Sequence, residues 1–360
     1  MFNNKVILSL FIAIINMAIK IFVLLTCSVL VAGTFFLQGP EKTAVVAPNP
    51  VAFASMDAPQ TAPDNPIELG AVHWQRDLAT GQALSESSGK PLLILFQEVP
   101  GCSNCTQYGA TTLSHPLIVE AIESLFVPVC IYNNKGGKDG EALQRFNEPA
   151  WNNPVVRMVR ADYSDLIPRI ADFRSATQLV AGMLRALDLA GIATPRYLEL
   201  LDEELRARAA GVETATFSMY CFWTGEGTFG DIPGVVETQP GFQDGKEVVK
   251  VVFDPSQVSK EKLASLTQPK GFTACAKNEG FRTDHEPKYY LLQTPYRFVP
   301  MTSLQASRAN SLAGKSKLPD ELLSPRQLAI VEKAKANPNK KWKNMIGRYD
   351  LVKAWNEVNL

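Results

Sequence analysis

An excess of charge of either sign is missing from this 360-residue chain: 36 Lys and Arg stand against 36 Asp and Glu, with no formal net charge. A basic field that would hold nucleic-acid phosphates is absent, so nucleic acid is not an expected partner. Histidine is scarce. His73, His115 and His285 are scattered, and without a second Cys-x-x-Cys or a His pair the four-ligand pattern of a structural zinc site is not met. Six cysteines (Cys27, Cys102, Cys105, Cys130, Cys221 and Cys275) are too sparse for a disulfide scaffold and read as individual chemical sites. What the chain does have is core material: 46% hydrophobic and 20% charged residues suffice for two domains of ordinary size with tails.

The N-terminus differs from the rest. Val6 to Leu37 is dominated by apolar residues with Asn16 and Lys20 as breaks, and the stretch from Ile21 to Leu37 approaches the ~20 residues that span a bilayer. It reads as an anchor or a long signal sequence, residues 1–38. Lys5 and Lys20 on its N-terminal side favour a cytoplasmic N-terminus, and no small-residue cleavage site directly follows. The expectation is a membrane-anchored protein whose body is exported to the periplasmic or extracytoplasmic side, with Cys27 inside the membrane. Residues 39–68, rich in Pro, Ala, Val and Asn, read as an extended linker.

A folded body follows. Leu92 to Phe96 is a continuous apolar run of the kind buried in a parallel sheet, and it leads into Cys102-Ser103-Asn104-Cys105. Two cysteines one helical turn apart can close a small disulfide ring, and the first gains thiolate character from the helix N-terminus. Metal binding is the competing reading of the pair. Ser114-His115-Pro116 opens a helix with Ser114 as cap, Phe126 to Tyr132 is a strand holding a buried, inert Cys130, and Asn133 to Gly140 reads as a flexible segment. Pro154 introduces the strand Val155 to Val159, Leu166 to Ile170 returns as a hairpin, and helices cover Ala176 to Ala190 and Thr194 to about Ala210. From Leu92 to about Gly191 this order resembles the thioredoxin family. The resemblance implies Cys102 as attacking thiol, Cys105 as resolving thiol and Pro154 as the cis-proline facing them.

A second unit starts near Val212. Cys221 lies between Tyr220 and the pair Phe222-Trp223, at the end of a stretch from Glu213 that reads as a strand. A thiol beside large aromatics is either ordinary core packing or a nucleophile next to an apolar cage. Downstream, a Gly/Pro-rich connection from Gly225 to Gly245 precedes Glu247, which stands at the entry to the strand Val248 to Phe253. A partly buried Glu can donate a proton at neutral pH.

Cys221-Phe222-Trp223, Pro233-Gly234-Val235 and the run Glu247 to Pro255, with Ser259 following, resemble the peptide-methionine (S)-S-oxide reductases, methionine sulfoxide reductase A. The resemblance covers about Phe217 to Leu266. It implies a nucleophile at Cys221, an acid at Glu247 and a methyl-holding wall at Phe222 and Trp223, with no cofactor. Tyr220 and Thr224 replace the family's glycines, and Phe242 stands where a tyrosine belongs, which leaves the hydroxyls that would bind the sulfoxide oxygen unassigned, with Tyr289, Tyr290 and Tyr296 as candidates from a later segment. Cys275 is a candidate resolving thiol or an incidental one.

The expected architecture is therefore α/β followed by α+β: a thioredoxin-like domain at 69–210, a two-layer α/β sandwich at 211–310 and a helical tail at 311–360. The expected function is reduction of methionine sulfoxide in oxidised proteins or peptides, recharged by the attached dithiol and an upstream thiol reductant. The alternative is a thiol-disulfide oxidoreductase whose second domain is a non-catalytic peptide-binding module.

Overall fold

The computed structural model describes residues 64–171 and 175–358. The first sheet has the order β2-β1-β3, formed by β1 (Leu92–Gln97), β2 (Val127–Tyr132) and β3 (Val155–Val159), with β2 parallel and β3 antiparallel to β1. Every residue of β1 is buried, because helices cover both faces and alternation would leave polar groups in the core. Leu93 and Leu95 pack with α3 (Pro116–Leu125) and α5 (Ala176–Ala190). Leu92, Ile94 and Phe96 pack on the other side with Leu78 of α1 (Leu78–Ser88) and Ala142 of α4 (Lys138–Arg145). Between β1 and α3 runs α2 (Ser103–Thr111).

Some local expectations are corrected here. The flexible segment gives way to α4 at Lys138, because Asp139 turns back and its carboxylate accepts the Tyr132 N–H at 3.1 Å. His115 rather than Ser114 occupies the N-cap of α3, and the Ser114 hydroxyl donates backwards to the Gly109 carbonyl at 2.8 Å. Leu166 to Ile170 returns along β3 through isolated bridges, Val159 with Asp165 and Val156 with Ile170. The end of the expected linker already belongs to the body: Ile67–Leu69 is a turn of 3₁₀-helix, and both Glu68 and Leu69 are buried.

The helix α6 (Arg196–Ala210) carries the chain to the second sheet, whose order is β7-β4-β6-β5-β8 with all pairs antiparallel. Its strands are β4 (Glu213–Ser218), β5 (Val235–Gln243), β6 (Lys246–Phe253), β7 (Thr273–Ala274) and β8 (Arg282–Thr283). The helices α7 (Phe222–Phe229) and α8 (Lys260–Thr267) bury Phe222, Phe229 and Leu263 against Phe217, Val249, Val251 and Phe253, which makes two layers. The Gly/Pro-rich connection expected at 225–245 is instead most of α7 and all of β5. Pro240 and Gly241 disguise the strand, yet both fit it: the far side of β5 faces only the two-residue β8, and a Cβ on Gly241 would lie 2.2 Å from the Arg282 carbonyl.

Four helices follow: α9 (Tyr289–Leu292), α10 (Ser303–Gly314), α11 (Pro325–Ala336) and α12 (Leu351–Glu357). Capping boxes start α10 at Thr302 and Gln305 and α11 at Ser324 and Gln327. These last helices tie to α6 and to the first core. Leu304 donates its N–H to Glu204 of α6 at 3.0 Å, Arg326 donates its N–H to Glu120 at 2.7 Å and its guanidinium to Glu123 at 2.6 Å, and Leu351 enters the first core. The described residues belong to one compact unit. No described helix is long and apolar enough to cross a membrane, and Val6 to Leu37 lies outside the described residues.

Candidate active site

The first thiol site grows from β1. After Val99-Pro100-Gly101 the chain enters α2 with Cys102 at its N-cap, where backbone N–H groups have no helical partner. Gly101 is required by close approach: a Cβ there would lie 2.4 Å from the Glu98 carbonyl and 2.6 Å from the Cys105 Cβ. Cys102 is exposed and Cys105 buried, with their sulfurs 3.7 Å apart. The N–H of Cys105, with that of Asn104, holds the Cys102 thiol below its ordinary value against the effect of burial. Burial pushes the Cys105 thiol up to about 11. One sulfur is therefore set to attack and the other to wait. The Cys105 thiol donates to the Asn153 side-chain oxygen at 2.9 Å, and the following Asn153–Pro154 peptide bond is cis, so Pro154 lies next to a residue that touches the pair. Glu98 brings a carboxylate oxygen within 4.8 Å of both sulfurs, three donors where a closed structural zinc site takes four. Cys130 is fully buried, its thiol raised to about 12 by burial.

The second site grows from β4. Cys221 is the N-cap of α7, with extended backbone and partial exposure. Glu247, at the start of β6, grips the residues on both sides of it: its backbone carbonyl accepts the Met219 N–H at 3.1 Å, and its carboxylate accepts the Phe222 N–H at 2.8 Å. Nucleophile and acid candidates, 26 residues apart in the chain, thus meet at one helix N-terminus. Gly225 leaves room for this turn, since a Cβ there would lie 1.9 Å from the Met219 sulfur. Beside the turn opens a cavity of about 360 Å³ lined by Ser218, Met219, Tyr220, Lys246, Glu247, Gly271 and Thr273.

The aromatic wall is only partly what the sequence suggests. Phe222 is buried and packs its ring edge on Phe242, with centroids 5.3 Å apart. Trp223 is half-buried and stacks on Tyr289 with centroids 3.8 Å apart and planes 11° from parallel. Tyr290 crosses Tyr289 at 73°, and its hydroxyl lies 3.3 Å from the Thr224 hydroxyl. Two of the three candidate tyrosines therefore meet Trp223 and Thr224. The Tyr296 hydroxyl is committed to Asp320 at 2.5 Å and does not.

Cys275 follows β7 directly. Its N–H donates to the Thr216 carbonyl at 2.8 Å, on the same sheet edge as the strand that delivers Cys221 but further back along it. Its thiol is free and raised by burial. Sequence reasoning missed Glu226 and Lys288, which form an ion pair with both side chains fully buried behind Trp223 and Tyr289. The available signal was a Glu one turn beyond Phe222, on the apolar face of a short helix.

No family model matches the chain. The curated proteins give a partial match: 32% identity over 127 residues to peptide methionine sulfoxide reductase MsrA 1 of Synechocystis sp., covering 29% of this chain and 51% of that protein. Peptide methionine sulfoxide reductase MsrA of Salmonella arizonae is 30% identical over 129 residues, covering 31% and 60%. Part of the chain is thus similar to peptide methionine sulfoxide reductase A, and the Cys-x-x-Cys stands with the separate three-stranded mixed sheet. It spans about half the length of the first of these relatives. Among solved structures, a thioredoxin from Thermus thermophilus is 18% identical over 33% of this chain and 90% of its own, with a TM-score of 0.29. The DsbH oxidoreductase is 15% identical over 37% and 96%, also at 0.29.

Proposed function

We propose that this chain reduces methionine sulfoxide in oxidised proteins or peptides, with Cys221 as nucleophile, Glu247 as acid and the Cys102–Cys105 dithiol as the source of electrons. The observation that carries the reading is the 2.8 Å bond from the Phe222 N–H to the Glu247 carboxylate, which holds an acid against the residue adjoining the thiol. The similarity to enzymes named for this reaction supports it.

The Cys221 thiolate attacks the sulfoxide sulfur, and the S–O bond breaks as the oxygen passes to the enzyme sulfur with a proton from the Glu247 carboxyl. Methionine leaves, and Cys221 remains as a sulfenic acid. A second thiol, Cys275 or one brought to the site, attacks that sulfur and releases water, forming a disulfide. The Cys102 thiolate then attacks the disulfide, Cys105 attacks the mixed disulfide and restores the free thiols, and an upstream dithiol reduces the Cys102–Cys105 bond. Tethering the dithiol to the sulfoxide site keeps it at high effective concentration.

In this reading the anchor (1–38) and linker (39–68) hold the thioredoxin-like (69–210), reductase-like (211–310) and tail (311–360) segments outside the membrane. The apolar run and the lysines before it support that placement. Protease added to spheroplasts is expected to degrade the body, and protection until the cytoplasmic membrane is lysed would refute export.

The purified chain, supplied with a chemical dithiol, is expected to convert a methionine sulfoxide peptide to the methionine form, and Cys221→Ser to abolish this. An inactive unmodified protein would sink the proposal. One observation favours a thiol-disulfide oxidoreductase instead: the exposed sulfur with the lowered thiol is Cys102. Disulfide exchange that needs Cys102 and ignores Cys221, without sulfoxide turnover, would assign that function.

A further inference from the structure

Behind the ring wall of the Cys221 site, two costly features fall on one residue. Lys288 has both its ammonium and the Glu226 carboxylate wholly shut off from solvent. It also lies in the left-handed region, at φ 58° and ψ 48°, without being glycine. A buried ion pair is often replaceable by apolar residues at no loss of stability, and a left-handed lysine carries backbone strain. Stability gives little reason for either feature, so their position is informative.

Glu226 belongs to α7, the helix that Cys221 caps, and it accepts twice from Lys288: from the backbone N–H at 2.6 Å and from Nζ at 2.8 Å. Nζ also donates to the Thr238 carbonyl, and the Thr238 hydroxyl donates to Glu226 at 3.3 Å. One residue on, Tyr289 begins α9 and stacks on Trp223, while Tyr290 reaches Thr224. The far end of α9 is held too, by the Leu291 N–H donating to the buried Asn310 side chain at 3.0 Å. The segment is pinned to the nucleophile's own helix and to β5 by bonds that lock its rotation, and its first two side chains face Trp223 and Thr224.

We propose that Glu226 and Lys288 are positioning residues that set the Tyr289–Tyr290 pair against Trp223 and Thr224, and so fix the shape of the site that receives the methyl sulfoxide group of the substrate. This deepens the function proposed above and rests on it for the identity of the substrate. Glu226 and Lys288 act through the tyrosines and touch no reacting atom. The tyrosines bring from a distant segment the phenolic hydroxyl that Phe242 lacks.

The test replaces the pair with apolar residues of similar volume, Glu226→Leu with Lys288→Met. The double variant leaves the Lys288 N–H and the Thr238 carbonyl and hydroxyl without these partners, so it is expected to fold with a lowered melting temperature. Its KM for a methionine sulfoxide peptide is expected to rise about tenfold or more, as misplaced binding groups do. The alkylation rate of Cys221 by iodoacetamide is expected to stay within about twofold, because the helix N-terminus is untouched. An unchanged KM would overturn the proposal. If the double variant does not fold, Lys288→Arg, which keeps the charge, is combined with Tyr289→Leu: effects on KM that fall short of additivity support coupling, and strict additivity refutes it. The Trp223 indole N–H resonance gives a reading independent of turnover. It should move in the double variant as the Tyr289 ring shifts, and a resonance that stays in place refutes positioning even if the chain reduces no sulfoxide.

Discussion

Cys102 and Cys221 reach the surface by the same local device and then serve different chemistry. Each follows a strand, each is the N-cap of the next helix, and neither makes a side-chain capping bond. What differs is the first neighbour. Cys102 faces a second sulfur at 3.7 Å and free backbone N–H groups, so its environment favours thiolate and disulfide exchange. Beside Cys221, a carboxylate is held on the next residue's N–H, and the rings of Phe222 and Trp223 pack with rings from two further places in the chain, an environment that fits the proposed sulfoxide substrate. A helix N-terminus makes a cysteine available; the group opposite decides what it does.

Exchanging or removing those neighbours tests the contrast. The largest effect is expected from Cys102→Ser, which should abolish methionine formation driven by an upstream protein dithiol and leave the reaction driven by a chemical dithiol intact. Loss of both would mean that the two sites are not separable. Glu247→Gln keeps an oxygen to accept the Phe222 N–H but removes the acid, and kcat should fall by about 10²-fold. A change below about threefold would remove Glu247 from proton transfer.

A pH series of thiol alkylation sharpens the difference inside the first site. A lowered thiol value means more thiolate at a given pH, so the Cys102 rate should reach half its maximum below the pH of an ordinary cysteine, and that of Cys105 only near 11. Equal midpoints would contradict the division into attacking and waiting sulfurs. The smallest effect belongs to the tail. Arg326→Ala leaves its own N–H bonded to Glu120 and Glu123 bonded to His73 but removes the guanidinium bond to Glu123, and should lower stability toward urea by about 1–2 kcal/mol without altering either thiol's chemistry.

Much of the first sheet was legible because its signals are local. The Leu92 to Phe96 run, the Cys-x-x-Cys behind it and the helix from Ala176 to Ala190 are set by apolar patterning within one element. The second sheet was harder where local preference and tertiary context disagree. Pro240 and Gly241 read as a connection, and only the neighbouring edge of β8 makes them acceptable in a strand.

The sequence by itself determined the chemistry that can be written down residue by residue: a dithiol one turn apart, a thiol followed by Phe222 and Trp223, and a Glu at a strand entry. Tertiary structure alone decided which groups meet. Tyr289 comes to Trp223 from 66 positions away, Lys288 reaches Glu226 across 62, and Arg326 binds Glu123 across 203. No local propensity encodes such pairs, because each depends on the packing of several elements at once, and a buried charge in particular is tolerated only once its partner is in place.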